Sequence, residues 1–320
     1  ICELSILLIS LYKPLNKSTY LQTKLDTYVS KSNEFNEFLK YVFHDPKKDK
    51  EVGISMKSIS NFSNKTSRLM KAQYEENPFP RWRYTLRPMD GIDINELTQQ
   101  FSKTFFKEPE ILIAGCGTGQ QALTWSSYKN VQIHAVDLSR ESLAYAIRKA
   151  KEKNIKNINF YHLDLLDIGL LNKKFDLIIS TGCLHHMDKP EDGLESLVNV
   201  LKSEGLIYLG LYSQRARSEI EWTRKYIQKR KINVSEKNMR AFRTKMLNSK
   251  NQKFQSIKGL LDFFSLSNFR DLLFNFTEHT YDFIKIKKLL ESKKLNFIAF
   301  NEMNPNTAKL FKTHFPNVND

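Results

Sequence analysis

Cysteine is scarce: the 320 residues hold three, Cys2, Cys116 and Cys183. An odd number at distant positions builds no disulfide framework, and no ligand-like spacing accompanies them, so no metal is expected. A reducing, cytoplasmic setting follows. Long apolar runs are missing as well. Residues 4–12 are apolar but fall far short of the roughly 20 residues that span a bilayer. No basic region precedes them, so they make a poor signal peptide and fit a packed helix better. No membrane partner is expected. Acidic charge is the minority, 35 Asp and Glu against 50 Lys and Arg, a net charge of +15. That excess tempts a nucleic-acid reading. It is mostly lysine spread along the chain, however, and this argues against a designed nucleic-acid patch. A repeat of about 34 residues is also absent. What is present is a globular composition, 41% hydrophobic, long enough for one large core and an accessory region. The chain starts at Ile1 rather than methionine, as a fragment would.

Glycine numbers only 11, yet three of these fall within five residues, Gly115-Cys116-Gly117-Thr118-Gly119. The apolar run Ile111-Leu112-Ile113-Ala114 precedes them, and Gln120-Gln121-Ala122-Leu123 can start a helix behind them. A strand, a glycine turn and a helix form a place where backbone approaches a ligand closely. The dinucleotide fingerprint G-x-G-x-x-G would need glycine at 120, where Gln120 stands. The G-x-G-x-G spacing therefore favours S-adenosylmethionine (SAM), which has no pyrophosphate to cradle, over NAD.

Further strands and helices alternate behind this turn. Residues 131–137 read as a second strand ending in Asp137, 18 residues past Gly119 and near the offset at which a carboxylate meets ribose hydroxyls. Ser139 fits the N-cap of the next helix, with Leu143, Ala144, Ile147 and Ala150 on its core face. Residues 157–164 read as strand three, with Asp164 past its end as a partner for an adenine amino group. Residues 175–180 read as strand four, Pro190 as the first turn of a helix, and 206–212 as strand five. This alternation predicts an α/β, doubly wound parallel sheet, which binds ligands at the carboxyl ends of its strands. Gly115, Asp137, Asp164 and Cys183 all fall at or just past such ends.

The glycine motif, Asp137, Asp164 and Gly182-Cys183-Leu184-His185-His186-Met187 resemble, in order and spacing, the successive motifs of class I SAM-dependent methyltransferases. The likeness covers about residues 105–215 and implies a Rossmann-like fold with SAM as cofactor. The segment Tyr74-Glu75-Glu76-Asn77-Pro78-Phe79-Pro80-Arg81-Trp82 is similar to one that precedes the methyltransferase domain in tetratricopeptide-containing methyltransferases. Segments 209–217 and 270–274 also resemble that group. The position before the first motif glycine is often acidic in the superfamily; Ala114 stands here, so one polar contact to the amino-acid end of SAM is missing or supplied elsewhere.

The expected organisation is an N-terminal helical accessory region, 1–104, and a methyltransferase domain, 105–320, with a helical insertion or lid over 215–280. Phe35, Phe38, Leu39 and Val42 have helical spacing, with His44-Asp45-Pro46 as the stop. Ile59, Phe62, Leu69 and Met70 suggest another apolar face, ending at Asn77-Pro78. The insertion is rich in aromatics, Phe264 and Phe276 among them. Residues 284–290 read as a helix and 295–300 as strand six, while a seventh strand is not identifiable.

For the site, Gly115, Cys116, Gly117 and Gly119 approach the methionine and ribose portion, with Asp137 and Leu138 at the ribose, Asp164 and Leu165 at adenine, and Gly182 and Cys183 on the methyl side. His185 and His186 are the candidate general bases. Tyr74, Arg81 and Trp82 are pocket candidates, with Arg81 available to the SAM carboxylate; Arg215 and Arg217 are candidates for an anionic acceptor. The expected reaction is in-line methyl transfer to a small-molecule acceptor, with a protein acceptor also open. The alternatives are a nucleic-acid methyltransferase and a non-catalytic SAM-fold module. Ser180-Thr181-Gly182-Cys183 occupies the position of the (D/N)-P-P-(Y/F) motif of base amino methyltransferases, which argues against that chemistry.

Overall fold

A computed structural model describes residues 2–84, 91–300 and 305–314. Its centre is a parallel sheet of five strands, β1 (Glu110–Ala114), β2 (Gln132–Asp137), β3 (Ile158–His162), β4 (Phe175–Thr181) and β5 (Leu201–Gly210), in the order β3-β2-β1-β4-β5. β1 and β4 are central and buried on both faces, as their continuous apolar runs require. β5 starts five residues earlier than the apolar pattern suggested. A register shift pairs Phe175 with Leu201 and Leu177 with Leu206, so the polar stretch between them rides as an irregularity.

Helices cover both faces. α7 (Gln120–Trp125) follows the glycine turn, α8 (Arg140–Glu152) follows β2, and α9 (Pro190–Asn199) follows β4. Ser139 caps α8 by accepting the Ser142 N–H, and Pro190 opens α9. One core layer holds Leu112, Ile178, Leu194 and Leu197; the other holds Ile111, Ile113, Ile133 and Leu143.

The N-terminal part is helical: α1 (Glu3–Ser10), α2 (Thr19–Leu25), α3 (Asn33–Leu39), α4 (Asp45–Ser55), α5 (Lys65–Glu76) and α6 (Ile94–Thr98). It has its own cluster, including Leu15, Leu25, Phe35, Leu39 and Phe43. Pro46 does not stop the chain there. A π-helical turn, Lys40–His44, joins α3 to α4 without a break, and Pro46 lies in the first turn of α4. On α5, Met70 is buried but Leu69 is 37% exposed, so the expected apolar face is narrower. α5 ends at Asn77, as the Asn77-Pro78 pair predicts.

After β5 come α10 (Ser218–Lys229), α11 (Glu236–Asn248), α12 (Gln252–Lys258) and α13 (Leu266–Phe274). Their aromatics pack on one another: Phe242, Phe254, Phe263, Phe269 and Phe274 form one buried cluster with Ile220 and Met246. Phe264 and Phe276 are outside it, 65% and 47% exposed. α14 (Phe283–Ser292) then packs Leu289 into the sheet core, and α15 (Pro305–His314) follows. Residues 295–300 do not form the expected strand six. Their aromatics turn to one another instead, Phe297 and Phe283 each against Phe300. Among the described residues no sixth or seventh strand joins the sheet.

Candidate active site

The carboxyl ends of β1 to β4 open into one cavity of about 440 Å³. Gly115, Cys116 and Gly117 line it at the end of β1, Asp137 and Leu138 at β2, Asp164 and Leu165 at β3, and Thr181, Gly182 and Cys183 at β4. Gly182, at φ +75°, leaves its side-chain position open, with no atom within 4 Å. Gly119 does not line the cavity. Its φ of +82° starts α7, and a Cβ there would lie 2.5 Å from the Cβ of Ala146 on α8. That glycine serves helix packing, not the ligand.

Asp137 organises the turn. Its Oδ2 accepts the Gly117 N–H at 2.8 Å and its Oδ1 accepts the Ser139 N–H at 2.8 Å. Burial outweighs these bonds and pushes its pKa up to about 6. Asp164 accepts the Leu166 N–H at 3.1 Å, while its own N–H donates to Ser60 Oγ at 2.9 Å. Burial raises the thiol of Cys183 to about 12 and that of Cys116 well above its ordinary value. Neither is a thiolate at neutral pH, which removes both as nucleophiles.

Of the histidine pair, only His186 lines the cavity. His185 is stacked on Tyr212 with ring centroids 3.8 Å apart, and among the described residues its buried ring nitrogens make no regular hydrogen bond. Burial drops its pKa to about 2, so it stays neutral. His186 Nδ1 pairs with the Thr277 carbonyl at 2.8 Å, so the nitrogen carries the proton and Nε2 keeps its lone pair. Burial lowers the pKa of this imidazole too.

The segment 74–82 divides. Tyr74, Phe79 and Pro80 line the cavity, whereas Arg81 is exposed and Trp82 is buried behind the glycine turn. Trp82 packs edge-on against Tyr145 and donates its indole N–H to the Thr118 carbonyl at 3.2 Å. Thr118 in turn donates to the Pro80 carbonyl, and Tyr145 to the Trp82 carbonyl. The Phe79 carbonyl lies where a Cβ on Gly117 would come within 2.8 Å. Residues 78–82 are thus a strap locked over the turn, and neither Arg81 nor Trp82 reaches the cavity. Arg215 lies in a separate shallow surface depression with Trp222 and Lys253. Arg217 is tied up by Glu278 and lies over the Tyr212 ring at 3.9 Å.

Three features were not read from the sequence as site components. Asp271, on α13, lines the cavity and accepts the Tyr74 hydroxyl at 2.9 Å and the Asn275 amide at 3.1 Å. Burial raises its pKa. Tyr212, the stacking partner of His185, lines the cavity too. Thr181 donates to Gln121 Oε1 at 2.6 Å, and both line the cavity. The only advance signal for Asp271 was its place in the segment 270–274.

Comparison with known proteins agrees with this geometry. Residues 111–205 match a family model described as a methyltransferase domain. An uncharacterized protein of Synechococcus is 35% identical over 115 residues, covering 35% of this chain and 27% of that protein. A malonyl-[acyl-carrier protein] O-methyltransferase of Paenibacillus is 32% identical over 101 residues, covering 31% of this chain and 37% of that protein. The chain thus spans well under half the length of these relatives. The solved structure of PKMT2 from Rickettsia typhi in complex with AdoHcy aligns with a TM-score of 0.54 at 17% identity, over 74% of this chain and 50% of that one, a likeness of fold. Residues 111–205 thus carry a methyltransferase domain, and the fold around it is like that of the Rickettsia typhi structure. Among the described residues no helix is long and apolar enough to cross a membrane, and no His, Cys, Asp and Glu cluster could hold a metal.

Proposed function

We propose that this chain transfers a methyl group from SAM to a small-molecule acceptor by direct in-line displacement. One observation carries the reading. A single cavity is lined on one side by the glycine turn, Asp137, Asp164 and Gly182-Cys183, and on the other by Tyr74, His186, Tyr212 and Asp271. The first set fits SAM: a carboxylate for the ribose diol at β2, a second for the adenine amino group at β3, and an open glycine at β4. Bound SAM supplies a methyl group already activated on a sulfonium, so no covalent protein nucleophile is needed. The work left to the protein is alignment and exclusion of water.

The strap from Pro78 to Trp82 fixes the turn against which the cofactor lies. His186 presents Nε2 as a base, because Thr277 holds the proton on Nδ1 and burial keeps the ring neutral. It takes the proton of a hydroxyl or amine acceptor. Labelled methyl transfer from SAM to a panel of small hydroxyl and amine compounds, run beside a total-protein acceptor, tests the reading. His186→Ala is expected to bind SAM unchanged and to lose about 10²–10⁴ in turnover. Unchanged turnover removes the base role. Label passing only to protein overturns the small-molecule assignment.

A further inference from the structure

The carboxylate at the amino-acid end of the cofactor needs a hydrogen-bond donor, and the exposed Arg81 does not line the cavity. The strand order locates that end. With Asp164 at β3 for adenine and Asp137 at β2 for ribose, the next positions across the sheet are β1 and β4, each about 4.8 Å further on. The lining there is Gly115, Cys116, Gly117, Gln120 and Gln121 beside β1 and Thr181, Gly182 and Cys183 beside β4.

Four backbone donors in the turn are already committed. The N–H groups of Gly115 and Cys116 both go to the Val136 carbonyl at 3.0 and 2.9 Å. That of Gly117 goes to Asp137, and that of Gly119 to the Cys116 carbonyl at 2.9 Å. Among the described lining residues the one basic side chain is Lys189, exposed at the start of α9. The lining side-chain amides at this end are those of Gln120 and Gln121. Gln121 is oriented as a donor, because Thr181 occupies its Oε1 at 2.6 Å. No described protein group is hydrogen-bonded to its Nε2, which is not among the sealed, unpartnered atoms.

We infer that the Gln121 amide, held by Thr181, binds the carboxylate at the amino-acid end of the S-adenosyl ligand. This rests on the methyltransferase reading above and stands in for the arginine contact expected from the sequence.

The test is calorimetric titration of the full chain with S-adenosylhomocysteine and with 5′-methylthioadenosine, which keeps adenine, ribose and sulfur but lacks the amino-acid end. Gln121→Ala is expected to weaken S-adenosylhomocysteine about tenfold or more and to leave methylthioadenosine unchanged. Thr181→Val moves the same way by a smaller factor. Gln121→Glu, which keeps the side-chain shape, sets a carboxylate against a carboxylate and loses more than Gln121→Ala on the first ligand only. Equal loss on both ligands, or no loss on either, overturns the assignment. So does a selective loss that follows Gln120→Ala or Lys189→Ala instead. If the unaltered chain binds neither ligand, the cofactor reading falls with it; if it binds methylthioadenosine alone, only the Gln121 assignment falls.

Discussion

Cofactor affinity should depend on pH through Asp137, and the structure sets both the direction and the range. In the proposed site ribose hydroxyls donate to this carboxylate, so the ligand prefers the ionised form. In the free protein burial raises the Asp137 pKa to about 6, from 3.8. Ligand bonds to the ionised form lower that value in the complex. Between the two pKa values affinity falls as pH falls, by up to tenfold per pH unit. From pH 7 to pH 5 the dissociation constant of S-adenosylhomocysteine should therefore rise about tenfold. The two cavity thiols do not interfere, because burial holds Cys183 near 12 and Cys116 well above its ordinary value. Asp137→Asn is the matching variant. It keeps one acceptor oxygen for the two N–H groups that Asp137 holds, those of Gly117 and Ser139. Loss of hydrogen bonds to a charged group predicts weaker binding by about 1.5–3 kcal/mol at pH 7. The variant should also show no fall in affinity toward pH 5. The same raised pKa acts on stability with its own sign. Ionisation is disfavoured in the fold, so this group's cost is absent below about pH 3.8 and complete above about pH 6. Titration calorimetry at several pH values reads the binding effect. A variant that keeps the full pH dependence would show that another group carries it.

Trp82→Ala removes a buried indole from between Tyr145 and the glycine turn, and should lower stability by about 3–5 kcal/mol in denaturant unfolding. Trp82→Phe loses chiefly the bond to the Thr118 carbonyl and should cost about 1 kcal/mol; equal losses would mean the ring's packing contributes little. Arg148→Met tests how the N-terminal helices are fastened to the sheet domain. Arg148 on α8 reaches Asp45 at 3.2 Å and Asp49 at 2.7 Å on α4, both nearly buried. Stranding those carboxylates should cost about 3–5 kcal/mol, and adding Asp49→Asn should recover part of it. A neutral Arg148→Met in thermal unfolding would mean α4 is held by other contacts.

What could be read in advance divides along sequence distance. The cofactor side is a run of local signals: a buried strand, a turn and a helix repeat, each leaving its ligand-facing residue at a strand end. Asp137, Asp164 and Cys183 lie at these ends, and Ser139 and Pro190 mark helix starts that the structure has at those positions. Where local signal and tertiary packing disagreed, packing decided. Pro46 reads as a stop, but a π-helical turn accommodates it. Residues 295–300 have strand composition, but their aromatics pack on one another and on Phe283. Arg81 and Trp82 read as pocket residues, yet only half of an extended segment can face one side; Phe79 and Pro80 take the cavity and Trp82 takes the core. The opposite wall has no local signature at all. Tyr74 and Asp271 meet across 197 residues, joining the helix before the strap to the last helix of the insertion. His186 reaches Thr277 across 91. In the proposed site the cofactor meets consecutive motifs of the sheet. The proposed acceptor wall is assembled from four distant segments, those of Tyr74, His186, Tyr212 and Asp271, two of them outside the sheet. Changes in α5 or α13 can therefore alter acceptor choice while the glycine turn and Asp137 stay as they are, and the acceptor is the part that motif reading leaves open.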